Sequence, residues 1–382
     1  MKNLVILLAV SLLAAMAVSC AGHTFESPPE TVIEPPTEIP IPSPVKPEPP
    51  PDVSEPTPEP VSIIRQIPES DEVITRRYTW SFSGKKWEAE LLMPEALYNY
   101  YRDLPRPRTD NYSIYITHPL DDHYIKSLTD EIEQIAQRER FSSLNKVEFV
   151  IAFVQHLPYT VDSVTTPYDE YPRYPIETLV DNGGDCEDTS ILLASLLDST
   201  GYEVTLVIFP ETPDTLGHVG IGILATDDMK GAYFEVEGKR YFYIETTDTR
   251  WGIGEIPDEY RGVTARIYTM EPIPVLTHYW EASVKKRLID SQIIEYEITL
   301  DIRVENLGSA LADDVHILAG FDAGEGKIWN PVESLAFDLS VDQSATITIT
   351  LQAPLGKHTR LIIQIVDNDQ AVDQSHSEWF DT

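Results

Sequence analysis

The residues best suited to chemistry lie in one run, Gly183-Gly184-Asp185-Cys186-Glu187-Asp188-Thr189-Ser190. Two glycines free the backbone for a tight approach, and Asp185 then stands where it can cap a helix. Ile191, Leu192, Ala194, Leu196 and Leu197 continue that helix as a buried one. Cys186 therefore falls in the first helical turn, where unpaired backbone amides and the macrodipole favour a thiolate. A thiolate is the nucleophile that acyl transfer requires. Asp185 and Glu187 flank it and oppose ionisation, so a local positive partner is needed, either an imidazolium or a bound metal ion.

Two later positions complete a reactive set. Gly217-His218-Val219-Gly220-Ile221-Gly222-Ile223 reads as a strand with His218 at its entrance, after a strand from Glu203 to Phe209. Tyr233–Val236 and Arg240–Glu245 read as a hairpin around Glu237-Gly238-Lys239, and its second strand runs out into Glu245-Thr246-Thr247-Asp248. A histidine entering an apolar strand is commonly just a satisfied core residue. Here it follows a cysteine-bearing helix and precedes a strand that ends in an acid, an order that suits a nucleophile, a base and an orienting carboxylate.

The elements that must position these residues begin with Tyr78-Thr79-Trp80-Ser81-Phe82, an alternating strand. A helical face of Ile125, Leu128, Ile132 and Ile135 follows. A second helix carries Val147, Val150, Ile151, Val154 and Leu157, capped by Ser142 or Ser143.

With Phe153-Val154-Gln155, Pro158-Tyr159-Thr160 and Tyr174-Pro175 in place, residues 75 to 265 resemble the transglutaminase-like superfamily, which has a papain-type α+β core and a Cys-His-Asp triad. The Gly-Asp-Cys-Glu-Asp run is most similar to bacterial transglutaminase-like cysteine proteinases and related archaeal proteins. The resemblance implies that Cys186 is the nucleophile and His218 the general base. The family's third member is usually an aspartate followed by Pro-Thr. Here Glu245-Thr246-Thr247 stands at that position, with Asp248 as the alternative. Gln155 is a candidate oxyanion donor beside the Cys186 amide. In some of these proteases the acids flanking the cysteine bind calcium, and Asp185, Glu187 and Asp188 match that cluster. The same acids at a helix start also suit capping, and the two roles are compatible. The implied activity is hydrolysis of peptide, amide or isopeptide bonds through a thioester. Acyl transfer from glutamine to an amine and a catalytically silent binding module are the alternatives. No redox or organic cofactor is demanded, and a protein or peptide substrate is expected.

Composition narrows the partners. Lys+Arg total 28 against 63 Asp+Glu, a net charge of −35. Such a surface repels phosphate backbones and anionic headgroups, which argues against nucleic acid and suits divalent cations or basic peptides. The two cysteines, Cys20 and Cys186, sit in unrelated contexts. Lys2 precedes an uncharged apolar run from Leu4 to Val18 that closes on Ala17-Val18-Ser19-Cys20, the pattern of a signal peptide over residues 1–19. It resembles a bacterial lipobox, which implies lipidation at Cys20, a cell-surface or periplasmic location and contact with the membrane through the lipid alone. Residues 20–69 read as a linker, because residues 28 to 60 hold 14 of the 30 prolines. Fully extended as polyproline, that stretch reaches about 100 Å.

Residues 70–275 are thus expected to form the transglutaminase-like domain, and 276–382 a separate all-β one. In the latter, Ile298, Leu300, Ile302 and Val304 alternate with polar residues, as do Ile347, Ile349 and Leu351, and Leu361–Val366 follows. Turns at Asn306-Leu307-Gly308 and Pro354-Leu355-Gly356 separate them. Val304 through Gly308 and Ala312 through Val315 resemble immunoglobulin-like modules of the CARDB type. The oligomeric state is left open.

Overall fold

The computed structural model describes residues 60–107, 109–162, 171–213, 215–290 and 292–382. The stretch expected to be a signal peptide, Cys20 and most of the expected proline-rich linker lie outside the described residues. The linker's last part does not stay a linker. Val61–Ile64 (β1) pairs antiparallel with residues Gln343 to Thr346 of a C-terminal strand. Proline density ends at Pro60, and the β-branched run that follows can extend a sheet edge with a full backbone ladder.

Val73–Phe82 (β2) and Lys85–Pro94 (β3) form a hairpin whose Ser83 and Gly84 both take positive φ, the two-residue turn that matches strand twist. Four helices follow: Glu95–Asp103 (α1), Ser113–Ile116 (α2), Asp122–Glu139 (α3) and Ser143–Gln155 (α4). Ser142 caps α4 by accepting from the Asn145 amide at 3.1 Å. Pro175–Asp181 (α5) then leads to Cys186–Ser199 (α6), which is buried from Glu187 to Leu197 and forms the centre of the core.

Against α6 packs an antiparallel sheet of Val204–Phe209 (β4), His218–Leu224 (β5), Tyr233–Val236 (β6), Lys239–Ile244 (β7) and Arg266–Thr269 (β8), in the order β6-β7-β5-β4-β8. One apolar core joins the hairpin, helices and sheet. Among the described residues no helix is long and apolar enough to cross a membrane.

The C-terminal strands are Leu276–Ile289 (β9), Gln292–Asn306 (β10), Ala312–Gly324 (β11), Lys327–Glu333 (β12), Phe337–Leu339 (β13), Gln343–Gln352 (β14), His358–Thr359 (β15), Leu361–Asp367 (β16), Gln370–His376 (β17) and Phe380–Asp381 (β18). One sheet runs β1-β14-β10-β9 and the other β12-β11-β16-β17, with β13 beside β11. The alternating residues anticipated from the sequence, Ile298, Leu300, Ile302, Val304, Ile347, Ile349 and Leu351, supply one half of a shared core.

Two polar ties hold this body together. At the seam between β9 and β17, His278 Nδ1 meets Asp373 Oδ2 at 2.6 Å and His278 Nε2 meets Ser375 Oγ at 2.6 Å. The Trp280 indole N–H donates to the same hydroxyl at 2.8 Å. Where the helical part meets the β part, Tyr100 donates to Asp342 Oδ2 at 2.6 Å, and His118 Nε2 reaches the same oxygen at 3.1 Å. Thr117 donates to Ser309 Oγ at 2.6 Å beside them.

Candidate active site

The two glycines before Cys186 are there because neighbouring groups leave no room for a side chain. A Cβ on Gly183 would lie 2.4 Å from the Pro158 carbonyl oxygen, and one on Gly184 2.4 Å from Asp188. That approach lets Gly184 N donate to Pro158 O at 3.3 Å and Gly184 O accept from Thr160 N at 2.9 Å, which docks the Tyr159 segment alongside the nucleophile turn.

Asp185 is the N-cap of α6, and Cys186 is its first residue. The helix is then sewn to both strands that carry the other candidates. Ser190 Oγ donates to Val219 O at 3.0 Å, one residue beyond His218. Thr189 and Ser190 hydroxyls lie 2.8 and 3.1 Å from that of Thr246, one residue beyond Glu245. Thr189, Ser190 and Thr246 have no assigned role on sequence grounds. For Thr189 and Ser190, polar side chains along an otherwise apolar helix are the signal that could have found them.

His218 Nε2 and Glu245 Oε2 are 2.8 Å apart, with Glu245 fully buried. The glutamate accepts four more bonds: from the Tyr243 hydroxyl at 2.8 Å, the Thr246 and Thr247 amides at 3.0 and 3.1 Å, and the Thr247 hydroxyl at 2.7 Å. Burial pushes this carboxyl up, yet the hydrogen bonds and charge of His218, with Thr247 and Tyr243, bring it down to about 2. An ionised carboxylate only accepts, so the proton on Nε2 belongs to the histidine, and the Nδ1 lone pair is left as the basic one.

Asp248, the alternative third member, does not face His218. It turns to solvent and pairs with Arg250, through the backbone amide at 3.0 Å and Nε at 3.0 Å. Gln155 is also corrected. Its amide nitrogen donates to Glu245 O at 2.8 Å and Trp251 O at 3.0 Å, so both protons are used to pin the acid-bearing loop rather than to meet an oxyanion.

Cys186 is a free, half-buried thiol. It does not rest as the thiolate that its place in the helix suggested. Burial, then the charge of Glu187, push it well above the ordinary thiol range, and the Val219 amide opposes them only in part. The thiol donates to Glu187 Oε2 at 3.2 Å, and among the described residues no hydrogen bond joins it to His218. Burial of the sulfur, and after it the charge of the carboxylate one residue away, outweighs the partial charge of the helix end.

The acids divide differently from the sequence expectation. Asp188 leaves the cluster to serve Arg173. It accepts the Arg173 amide at 2.8 Å and contacts the guanidinium, and it takes the Asp185 amide at 3.3 Å. Arg173 is fully buried and also bonds Asp162 at 2.9 Å and Asp181 at 3.2 Å. Asp162 takes the vacated place: Asp162, Asp185 and Glu187 each offer an oxygen within 4.8 Å of the others. Replacing Arg173 with methionine leaves buried carboxylates without their cation. The expected loss is about 3–5 kcal/mol of stability, read as a lowered urea midpoint.

No protein-family model matches the chain, and no curated protein matches it in sequence. Several solved structures align with parts of it. Calcium-bound LapG of Legionella pneumophila is 19% identical, covering 36% of this chain and 81% of its own, with a TM-score of 0.24. A protein described as a TGase is 12% identical over 52% and 54%, with a TM-score of 0.26. Red sea bream transglutaminase is 8% identical over 79% and 61%, with a TM-score of 0.20. Identities and scores this low establish neither family nor function.

Proposed function

We propose that this chain is a transglutaminase-like cysteine hydrolase of the cell surface or periplasm, lipid-anchored through Cys20. It cleaves peptide, amide or isopeptide bonds, with Cys186, His218 and Glu245 as its catalytic set. The observation that carries this reading is the pair of half-buried His218 and buried Glu245, held on the two strand ends to which the Cys186 helix is itself hydrogen-bonded. The motif around Cys186 supports it. The C-terminal strands, in this proposal, form an immunoglobulin-like module.

The reaction follows from the proton inventory. His218 Nδ1 accepts the Sγ proton as sulfur attacks the acyl carbon. A C–S bond forms, and the carbonyl electron pair moves onto oxygen. Collapse of that intermediate breaks the C–N bond, and the departing amine takes its proton from His218. Water then attacks the thioester with His218 again as base, which releases the carboxylic acid and restores the thiol. An amine in place of water gives acyl transfer by the same steps, so an amine acceptor in the assay decides between them.

Asp162, Asp185 and Glu187 fit a hard cation such as calcium: their oxygens converge, and Asp185 Oδ1 is buried without a hydrogen-bond partner. A bound calcium ion would supply positive charge beside the thiol. The expected result is a raised thermal midpoint in calcium, absent in Asp185→Asn, worth about 2.7 kcal/mol at a hundredfold excess over Kd.

Labelling of Cys186 by a thiol electrophile tests the catalytic reading. Slow labelling is expected in chelator. In calcium it should be fast below the ordinary thiol value of about 8.5 and lost in His218→Ala. Slow labelling with ordinary thiol behaviour in both buffers overturns the hydrolase reading in favour of a silent binding module.

A further inference from the structure

His218 is held at one edge by Glu245. A single hydrogen bond leaves the ring free to turn about the line joining the two atoms, because the terminal torsion of histidine is broad. The second restraint is aromatic. The Tyr260 ring lies over the imidazole with centroids 4.6 Å apart and planes within 10°. The same ring lies over Phe209, 4.8 Å away and 26° off parallel. Phe209 stands directly opposite His218 in the β4–β5 register, with its plane 16° from that of the imidazole. It also meets the edge of Tyr243, the residue whose hydroxyl donates to Glu245.

Tyr260 is itself well fixed. It is buried at the end of a single 3-10 turn, Asp258–Tyr260, closed by its amide to Pro257 O at 3.0 Å and by Val263 N to its carbonyl at 3.2 Å. One aromatic block thus backs both the base and the donor to its orienting acid.

We propose that Tyr260 is a positioning residue for His218. Its ring sets the plane of the imidazole, and with it the direction of Nδ1. Its π face stabilises the imidazolium that exists between proton uptake from the thiol and delivery to the leaving amine. This rests on the assignment of His218 as the base.

Three variants test it. Tyr260→Phe keeps the ring and is expected to retain kcat within about threefold of wild type. Tyr260→Leu keeps apolar bulk without a π face, and its kcat is expected to fall about 10- to 100-fold at unchanged KM, the cost of a misaimed reacting group. The acidic limb of its pH–rate profile moves to lower pH, because His218 must be neutral to accept the thiol proton and its imidazolium has lost a stabilising contact. Tyr260→Met gives the same reading if the leucine variant does not fold.

A measurement independent of turnover separates this inference from the hydrolase reading. In a Cys186→Ala background, the downfield Nε2–H proton of His218 should be visible by NMR with Tyr260 or Phe at 260, and lost to exchange with Leu. Retention of that signal together with wild-type kcat and pH profile in Tyr260→Leu overturns the proposal. Loss of the signal with the leucine substitution, when the protein with Cys186 intact shows no turnover at all, leaves Tyr260 as the residue that orients the imidazole and removes the hydrolase reading.

Discussion

Cys186→Ala is expected to abolish turnover and labelling by thiol electrophiles while leaving the fold intact. In enzymes whose nucleophile and base act as one unit, removing the nucleophile costs about six orders of magnitude in kcat. Here the sulfur is half-buried and its contacts are the Glu187 carboxylate and the Val219 amide, so the change removes a single atom from the edge of the core. Stability should stay within about 1 kcal/mol of wild type. The check is a pair of measurements on one sample, residual activity and the thermal midpoint. Undiminished activity would place the chemistry elsewhere.

Glu245→Gln carries the second largest effect. The substitution keeps the shape of the side chain but puts an amide where His218, Tyr243, Thr246 and Thr247 all donate. The imidazole then loses the acceptor that fixes its tautomer, and kcat is expected to fall about 10³- to 10⁴-fold, the scale seen when an orienting carboxylate becomes an amide. Asp248→Asn, which touches only a surface pair with Arg250, should leave kcat near wild type. The pH dependence of stability carries an independent sign. A carboxyl lowered to about 2 contributes stability above its unfolded value of about 4.3, and that stability is lost as pH falls through 2. Acid titration of unfolding should therefore show a fall below pH 4 in wild type that is smaller in Glu245→Gln, although the variant starts lower because buried donors are left unmet.

Much of this site is legible in the order of the amino acids. The helix start at Asp185, the strand entrance at His218 and the hairpin ending before Glu245 are local events, and local signals report them: two glycines, a capping acid, alternating apolar residues and a tight turn at Glu237-Gly238. The C-terminal strands read equally well, because a residue that alternates in and out of a core announces itself with a period of two. Residues Val61–Ile64 do not, since their side chains are exposed and a neighbouring strand's backbone holds them.

What the chain by itself determined, then, is the order of the reactive residues and the elements that bear them. Tertiary structure alone decided which partner each one meets. Glu245 rather than Asp248 faces the imidazole, Gln155 is consumed by two carbonyls, and Asp188 goes to Arg173 while Asp162 replaces it beside Asp185. Each outcome joins residues far apart in the chain, or turns on how deeply one carboxylate is buried relative to its neighbour. Propensity and periodicity are properties of a few adjacent residues. Desolvation and hydrogen bonding depend on what folding brings within about 3 Å, and that distance is set only when the sheet closes over the helix.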